Sequence, residues 1–453
     1  MCYDINKMIR RITNCFFLML FFNSVLLYAL FLRHEPAKLC IVVTLSFAVY
    51  LYFNVNPYGR GKRRGRVRLN VLMGGRECIL MAMTCSLLEI ALYIALIASG
   101  IADERLGILA VNAAVFCALV SVLVINGVVR IFITSRQAGF AVKLQLVLFW
   151  WVPVLNLVLL KKICGSAVRE YVYMIRKADI NEARKAEEIC RTKYPLLLVH
   201  GVFWRDWKNF NYWGRIPGEL EANGATCFYG NHKSSSSVAE SGAELADCIR
   251  DIVSETGCEK LNLIAHSKGG LDCRYAISCR GMGKYVASLT TVSTPHYGCN
   301  SIRKIVERIP ENAMRYINEK YETLYTILGD DSSDFISGLE GITDTECAAL
   351  NELAPDDPQV YYQSVGSKMR SPGSALFPLS LGYSIIKPAE GDNDGLVATD
   401  SMIWGDFLGI VAPVGKQGVS HGDMIDLTRK DIDGFDVCEF YVDLVSRLKK
   451  RGL

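Results

Sequence analysis

The chain has 453 residues, half of them apolar (51%), and a formal net charge of only +4 at pH 7. This length leaves room for two or three domains. The small positive excess is local, which argues against a nucleic-acid partner. The sixteen cysteines include no CxxC pair and no metal-ligand spacing, so the pattern favours reduced, mostly buried thiols over a disulfide framework.

The N-terminal region contains four apolar runs long enough to cross a bilayer. They are residues 12–32, 39–55, 78–101 and 106–129. A fifth candidate, residues 144–160, holds a Trp pair and a proline, which suit an interface or a broken helix as well as a full span. We therefore predict a transmembrane region over residues 1–164, with four to five helices.

Basic residues indicate the orientation of these spans. They precede the first span (7–11), follow the second (60–68) and follow the fourth (130–143). All three groups lie on one side if the N-terminus is cytoplasmic, which predicts a multi-pass protein of the cell membrane. The run 60–68 is interpreted as a cytoplasmic loop because it lies between two apolar spans. Glu89 is the acid inside the spans; without a paired cation, we favour a helix-packing contact over a functional carboxylate.

The next segment, residues 165–193, is charged and helical in propensity, and we predict a connector helix that ends near Tyr194-Pro195. Strand and helix signals alternate beyond it, with strand signals at 196–199, 226–229, 261–264, 288–293 and 360–365. This alternation predicts an α/β domain with a mostly parallel sheet over residues 194–453. Residues 302–339 have a helical pattern and suggest a lid insertion at about 300–345, although ordinary packing helices fit equally well.

The stretch 261–270, LNLIAHSKGG, has the features of a nucleophile elbow. A short apolar strand leads into a turn that carries Ser267, and a helix opens on two glycines. Small residues at Ala265 and Gly269 let the strand and helix backbones approach closely. The usual pattern has Gly where this chain has Ala265, so the match is weaker than a full one.

A serine nucleophile needs a base and an acid, and in α/β hydrolases they follow it in the order acid, then histidine. Of the six histidines, only His421 lies after Asp394, which sits in a loop of turn residues at 391–397. We predict that His421 takes the proton of Ser267 and that Asp394 orients the imidazole. Asp392 is the alternative acid. His200 precedes the serine and is interpreted as a brace for its loop.

Stabilisation of a tetrahedral oxyanion requires two backbone N–H groups, one beside the nucleophile and one on a loop after an early strand. The N–H groups of Lys268 and Val202 occupy these positions. The sequence therefore supplies a nucleophile, a base, an acid and an oxyanion hole.

Several motifs in this order resemble those of bacterial triacylglycerol lipases of the α/β-hydrolase fold. They lie at residues 194–201, 212–214, 262–270, 293–298, 393–397 and 420–423. The resemblance covers about residues 190–445 and implies the triad Ser267, Asp394 and His421, oxyanion donors at Val202 and Lys268, and hydrolysis of lipid esters at an interface. It does not extend to the N-terminal spans, so secretion is not implied.

The resemblance also bears on cofactors. Several of these lipases bind calcium through an aspartate two residues after the triad histidine, and Asp423 matches that position. No acidic partner is present in residues 367–386, so Asp423 is only a weak calcium candidate. No zinc ligands are recognisable, and we expect no required cofactor.

The sequence thus predicts a membrane-anchored serine hydrolase that cleaves carboxylic esters of lipids through an acyl-enzyme, with the lipid substrate and the membrane as partners. A phospholipase or acyltransferase with the same triad is one alternative. A membrane scaffold or transporter with an inactive hydrolase-like domain is another. The side of the catalytic domain stays open, because basic residues 161–177 and the cysteines favour the cytoplasm while a lipolytic role favours the exterior.

Overall fold

A computed structural model of the chain describes residues 2–56, 67–100, 105–202, 212–233, 235–301, 303, 340–412, 417–432 and 434–453. Most of the predicted basic loop and most of the predicted lid lie outside these residues. The chain forms two compact units, Met1–Asp179 and Ile180–Leu453. They correspond to the helical and the α/β regions that the sequence indicates.

The first unit is helical. Its described helices are α1 (Cys2–Phe22), α2 (Ser24–Leu27), α3 (Pro36–Val55), α4 (Val67–Ala98), α5 (Leu106–Thr134), α6 (Phe140–Leu148) and α7 (Pro153–Arg184). Among the described residues, α3, α4 and α5 are long and apolar enough to cross a membrane. The segments Ile9–Phe22 and Ser24–Leu32, bent by 69° at their junction, make a fourth span if they are taken as one.

Close helix packing and buried polar contacts hold this unit together. A Cβ atom at Gly75 of α4 would lie 2.7 Å from the carbonyl oxygen of Gly127 on α5, so the two backbones touch where both residues are glycine. The bend between α1 and α2 falls at Asn23, which donates to Glu89 Oε2 at 2.7 Å, and Asn112 donates to Asn23 Oδ1 at 2.8 Å. Glu89 therefore faces polar neighbours, as the packing interpretation expects.

Two predicted segments, the fifth span at residues 144–160 and the connector at 165–193, are organised differently in the structure. Residues 144–160 are divided between α6 and α7, because Pro153 can begin a helix but disfavours helical backbone in the residue before it. Helix α7 then runs through residue 165 without a break and ends at Arg184, well before the predicted Tyr194. A 3₁₀ turn at Lys185–Glu187 and left-handed backbone at Glu188 (φ 45°) follow.

The second unit contains a six-stranded sheet in its described part. The strands are β1 (Leu196–Val199), β2 (Cys227–Tyr229), β3 (Leu261–His266), β4 (Val286–Val292), β5 (Tyr361–Ser367) and β6 (Asp406–Val411), in the order β2-β1-β3-β4-β5-β6. Every neighbouring pair is parallel. The predicted parallel α/β fold is confirmed, and β6 is the strand that precedes the His421 loop.

Helices cover both faces of this sheet. The longer ones are α8 (Ile216–Ala222), α9 (Val238–Thr256), α10 (Lys268–Cys279), α11 (Asp344–Leu353), α12 (Leu379–Glu390) and α13 (Val437–Lys450). Along β1, Leu196 and Leu198 pack with α8 and α13, while Leu197 and Val199 pack with α9 and α10. Burial on both faces explains why β1 is a continuous apolar run and why every residue of β3 is buried.

The strand order places a crevice at one edge of the sheet. Chain order reverses between β1 and β3, and ligands of open α/β sheets bind beyond the carboxyl ends of strands at such a switch point. The segments that leave these two strands are His200–Val202 and Ser267. The topology therefore brings together two parts of the chain that the sequence analysis singled out for the same chemistry.

Candidate active site

Ser267 occupies a sharp corner between β3 and α10. Its backbone has φ 55° and ψ −134°, a conformation that a non-glycine residue adopts only when its surroundings impose it. The Ser267 N–H donates to the carbonyl of Val292 at 3.0 Å, and its own carbonyl accepts from the Thr294 hydroxyl at 2.8 Å. These bonds fix the strained turn that a nucleophile elbow requires.

Small residues allow the elbow to pack against the end of β1. A Cβ atom at Gly269 would overlap the carbonyl oxygen of His200, and one at Gly201 would lie 2.8 Å from the Cβ of Ser267. Ala265 is fully buried in β3, where its methyl group is accommodated. The elbow and the His200–Val202 segment are therefore in direct contact.

Asp394 and His421 form a buried pair. The distance from Asp394 Oδ2 to His421 Nδ1 is 2.7 Å, and the His421 N–H donates to the Asp394 carbonyl at 2.9 Å. Asp394 Oδ1 accepts two further hydrogen bonds, from the N–H groups of Leu396 (3.0 Å) and Val397 (2.9 Å). The carboxylate is thus locked in place, with one oxygen for the backbone and the other for the imidazole.

The alternative acid, Asp392, has a different environment. Its side chain is 41% exposed, and it pairs with Lys368 at 2.7 Å and with Lys387. These two ammonium groups lower its pKa to about 2. Asp394, in contrast, is completely buried against His421. The arrangement favours Asp394 as the acid.

One cavity of about 640 Å³ joins these groups. Val202, Ser267 and His421 all line it. Apolar side chains provide most of the cavity surface, from Ile342, Ala375, Leu376, Phe377, Pro378, Leu379, Leu396, Ile425, Leu427 and Ile432, while Gln417, Asp423, Lys430 and Asp431 add polar or charged groups. The serine and the imidazole therefore face a space suited to an apolar ligand.

Lys268, the residue after the nucleophile, has its backbone at the start of α10 and its ammonium group buried elsewhere. As the first residue of α10, it has an N–H without an acceptor in its own helix, at the positive end of the helix dipole. Its side chain is fully buried and turns away to Asp272 Oδ1 (2.8 Å) and Ser241 Oγ (2.9 Å). Val202, on the segment after β1, lines the cavity.

Two further side chains adjoin the site, and the sequence analysis assigned them no role. The Tyr212 hydroxyl is 2.7 Å from His266 Nδ1 and accepts the N–H of Gly201 at 3.0 Å. The His266 ring lies 4.4 Å from the ring of His421. Burial lowers the pKa of His266 well below its usual value, and the nearby His421 acts in the same direction. The sequence signal for Tyr212 was its place in the motif at 212–214.

His200 is fully buried, and its Nδ1 lies 3.2 Å from the carbonyl oxygen of Gly201. Its ring stacks on that of His232 at 4.5 Å. These contacts fit the interpretation of His200 as a brace for its loop.

The weak calcium candidate, Asp423, is hydrogen-bonded to its own loop. Asp423 Oδ2 accepts both the N–H (2.9 Å) and the hydroxyl (2.6 Å) of Ser420, and burial raises the pKa of Asp423. The next acid, Asp426, is bound at two points by the guanidinium of Arg215. Within the described residues, no group of three His, Cys, Asp or Glu side chains is placed to hold a metal ion.

Comparison with known proteins identifies relatives of the α/β unit. A triacylglycerol lipase of Pseudarthrobacter phenanthrenivorans is 28% identical over 182 residues, which cover 38% of this chain and 56% of that protein. The chain thus spans about half the length of that relative. A crystal structure of Staphylococcus hyicus lipase has a TM-score of 0.45 and 18% identity, and the match covers 58% of this chain and 97% of that one. No protein-family model matches the chain.

Another relative has a higher sequence identity to the chain. The triacylglycerol lipase of Vibrio cholerae serotype O1 is 35% identical over 240 residues, which cover 48% of this chain and 76% of that protein. The match extends over about three quarters of the relative. The chain therefore belongs to the triacylglycerol lipase family.

Proposed function

We propose that this chain is a membrane-anchored serine hydrolase that cleaves carboxylic esters of lipids through an acyl-enzyme. The observation that carries the proposal is the common cavity of Ser267 and His421, with Asp394 Oδ2 at 2.7 Å from His421 Nδ1. Acyl transfer to water requires a serine, an imidazole and a carboxylate, and the order Ser267, Asp394, His421 is the one found in α/β hydrolases. The apolar lining supports an ester with a long hydrocarbon part.

In this mechanism, the Ser267 hydroxyl attacks the ester carbonyl carbon while His421 Nε2 takes its proton. Asp394 holds Nδ1–H and stabilises the imidazolium. The N–H groups of Val202 and Lys268 stabilise the oxyanion of the tetrahedral intermediate. The intermediate collapses, the alcohol leaves with the proton from His421, and the acyl group stays on Ser267. Water then attacks the acyl-enzyme by the same route and releases the carboxylic acid.

The decisive experiment compares the full chain, solubilised in detergent, with its Ser267→Ala variant on p-nitrophenyl esters of increasing acyl length. We expect the variant to lose turnover by about 10³-fold or more, because nucleophile and base act as a unit. Ser384→Ala, on the exposed side of α12 and outside the cavity lining, is the matched serine control and should hydrolyse normally. Equal turnover of Ser267→Ala and the wild-type chain would refute the serine mechanism.

Product analysis separates lipase activity from its alternatives. Triacylglycerol in detergent should yield free fatty acid, and the profile across acyl lengths should favour chains long enough to fill the apolar cavity. Fatty acid released from phospholipid instead would identify a phospholipase. Transfer of the acyl group to an added alcohol in preference to water would identify an acyltransferase.

The membrane anchor is supported by the three helices of the first unit that are long and apolar enough to span a bilayer. The expressed chain should sediment with membranes and stay there after an alkaline carbonate wash, being released only by detergent. Release by carbonate alone would contradict membrane insertion.

A further inference from the structure

The two residues on either side of Ser267 both reach back to the segment His200–Val202, here called the oxyanion loop. His266 and Lys268 have side chains that are almost completely buried, at 1% and 0% exposure. Neither side chain has a part in the proton transfers of the proposed mechanism. Each side chain begins a series of contacts that ends on the oxyanion loop. One series reaches the backbone N–H of Gly201, and the other reaches the ring of His200.

The first chain of contacts runs through Tyr212. Its hydroxyl accepts the N–H of Gly201 at 3.0 Å and lies 2.7 Å from His266 Nδ1. Burial keeps the pKa of His266 low, so the ring is neutral and Nδ1 can accept the hydroxyl proton. One oxygen therefore links the backbone of the oxyanion loop to the residue before the nucleophile.

The second chain of contacts runs through Asp272 and His232. Lys268 Nζ lies 2.8 Å from Asp272 Oδ1, and Asp272 Oδ2 lies 3.2 Å from His232 Nε2. The other nitrogen of His232 lies 2.8 Å from the carbonyl of Gly230. Each ring nitrogen of His232 therefore lies within hydrogen-bond distance of an oxygen atom.

The plane of the His232 ring is therefore set by partners at its two ends. The ring of His200 stacks on it at 4.5 Å, with 17° between the planes. His200 is the first residue of the oxyanion loop, and its carbonyl is in contact with Gly269 of the elbow. Tyr212 thus binds the loop through the backbone N–H of Gly201, and His232 packs against the side chain of His200.

This double attachment matters because the two proposed oxyanion donors lie on separate segments. The N–H of Lys268 belongs to the elbow, whereas the N–H of Val202 belongs to the oxyanion loop. Both donors must lie about 2.7–3.1 Å from the developing oxyanion for full stabilisation. A shift of the loop by a few tenths of an ångström would weaken one donor and leave the nucleophile, the base and the acid untouched.

We propose that Tyr212 with His266, and His232 with Asp272 and Lys268, are positioning residues that fix the oxyanion loop against the nucleophile elbow. The proposal rests on the proposed esterase function. It assigns a transition-state effect to side chains that have no part in the proton transfers, although Tyr212 and His266 also line the cavity.

The test uses the full chain with Tyr212→Phe, which removes one oxygen atom and creates no cavity. We expect kcat/KM for a p-nitrophenyl ester to fall about 10- to 100-fold, with KM within about twofold of the wild-type value. The inhibition constant of an alkyl trifluoromethyl ketone, which forms a tetrahedral adduct with the serine, should rise by the same factor. Its non-fluorinated ketone analogue should bind unchanged.

Tyr441→Phe is the matched control. Tyr441 is a fully buried tyrosine in the same apolar cluster as Tyr212, and its hydroxyl has no hydrogen-bond partner among the described residues. This variant should retain wild-type kcat/KM and inhibitor binding. His232→Phe is the second test variant, because it keeps a flat ring beneath His200 but removes both hydrogen bonds. His232→Phe should likewise raise the inhibition constant of the trifluoromethyl ketone and leave binding of the non-fluorinated ketone unchanged.

The double variant Tyr212→Phe/His232→Phe adds an independent readout. If both side chains hold the same loop, the combined loss in kcat/KM is smaller than the product of the single losses, since one release already frees the loop. The proposal is overturned if the single variants retain the affinity for the trifluoromethyl ketone. It is also overturned if the loss of activity equals the loss of active sites counted by phosphonate titration, since each remaining site would then be fully active. A wild-type chain that neither hydrolyses the ester nor binds the ketone would instead refute the proposed function itself.

Discussion

The hydrogen bonds of Asp394 lead to a sharp prediction for Asp394→Asn. Oδ1 accepts two backbone N–H groups, from Leu396 and Val397, so the amide oxygen of an asparagine must take that position. Its NH₂ group then occupies the place of Oδ2 and faces His421 Nδ1. A donor at that point requires an unprotonated Nδ1, and the neutral imidazole then carries its proton on Nε2. The base can no longer accept the proton of Ser267.

We expect Asp394→Asn to reduce kcat by about 10³- to 10⁴-fold, or about 4–5 kcal/mol of transition-state stabilisation, with little change in KM. The fold should survive, because the substitution keeps the shape of the side chain and the two backbone hydrogen bonds. The assay is p-nitrophenyl ester hydrolysis by the solubilised full chain, with the unfolding temperature measured in parallel.

The matched control is Asp392→Asn, two residues earlier. Asp392 is exposed and pairs with Lys368 and Lys387 rather than with a histidine, so its variant should keep turnover within about threefold of wild type. Turnover of Asp394→Asn within that same range would refute the assignment of the acid. A severe loss in Asp392→Asn alone would transfer the role to Asp392.

Three further outcomes are expected. Gly269→Ala should lower the free energy of unfolding by about 1–3 kcal/mol and reduce activity, because its methyl group would clash with the backbone at the end of β1. Gly218→Ala, in open space on α8, is the control and should be neutral or stabilising. Thermal unfolding of both variants checks this. Chelation with EDTA should leave turnover unchanged, because the Asp423 carboxylate is already hydrogen-bonded within the chain; a loss that only calcium restores would contradict this reading. Burial lowers the pKa of His266 and of His296 well below 6.5, so the unfolded chain binds more protons than the folded one below that pH. Stability should therefore be fully present above about pH 6.5 and fall on acidification toward the lowered pKa values, by up to about 1.4 kcal/mol per pH unit for each histidine; an unfolding free energy that is flat between pH 7.5 and 5.5 would contradict it.

Local sequence patterns were sufficient for much of the architecture. Apolar runs predicted the long apolar helices of the first unit, because about twenty uncharged residues in a row favour a continuous helix of membrane-spanning length. Continuous runs such as Leu196–Val199 predicted parallel strands because helices cover both sheet faces. The capping box of α9, with Ser237 and Glu240, and its terminal Gly257 are local signals of the same kind.

Helix boundaries in the linker region were less well predicted. The charged composition of residues 165–193 suggested a separate connector, but composition does not mark where a helix starts. Pro153 does, because its fixed φ suits the first turn of a helix. The helix therefore includes residues that the prediction had assigned to a fifth span.

Ser267, Asp394 and His421 could be predicted as a triad from the sequence, because each lies in a short motif rich in turn residues. The sequence analysis chose Asp394 over Asp392 as the acid, but it did not contain the side to which each carboxylate points. Two lysines draw one to the surface, while two backbone N–H groups and His421 hold the other inside.

Tertiary structure also decided which residues adjoin the oxyanion loop. Tyr212 and His266 are 54 positions apart, and His232 and Asp272 are 40 apart, so no local periodicity joins them. Tyr212 follows β1 and His232 follows β2, whereas His266 ends β3 and Asp272 lies in the helix after it. They meet because β2, β1 and β3 are neighbours in the sheet, which brings the segments leaving these strands to one edge. Sequence determined the elements and the chemical groups they carry, and the strand order determined which of those groups are neighbours.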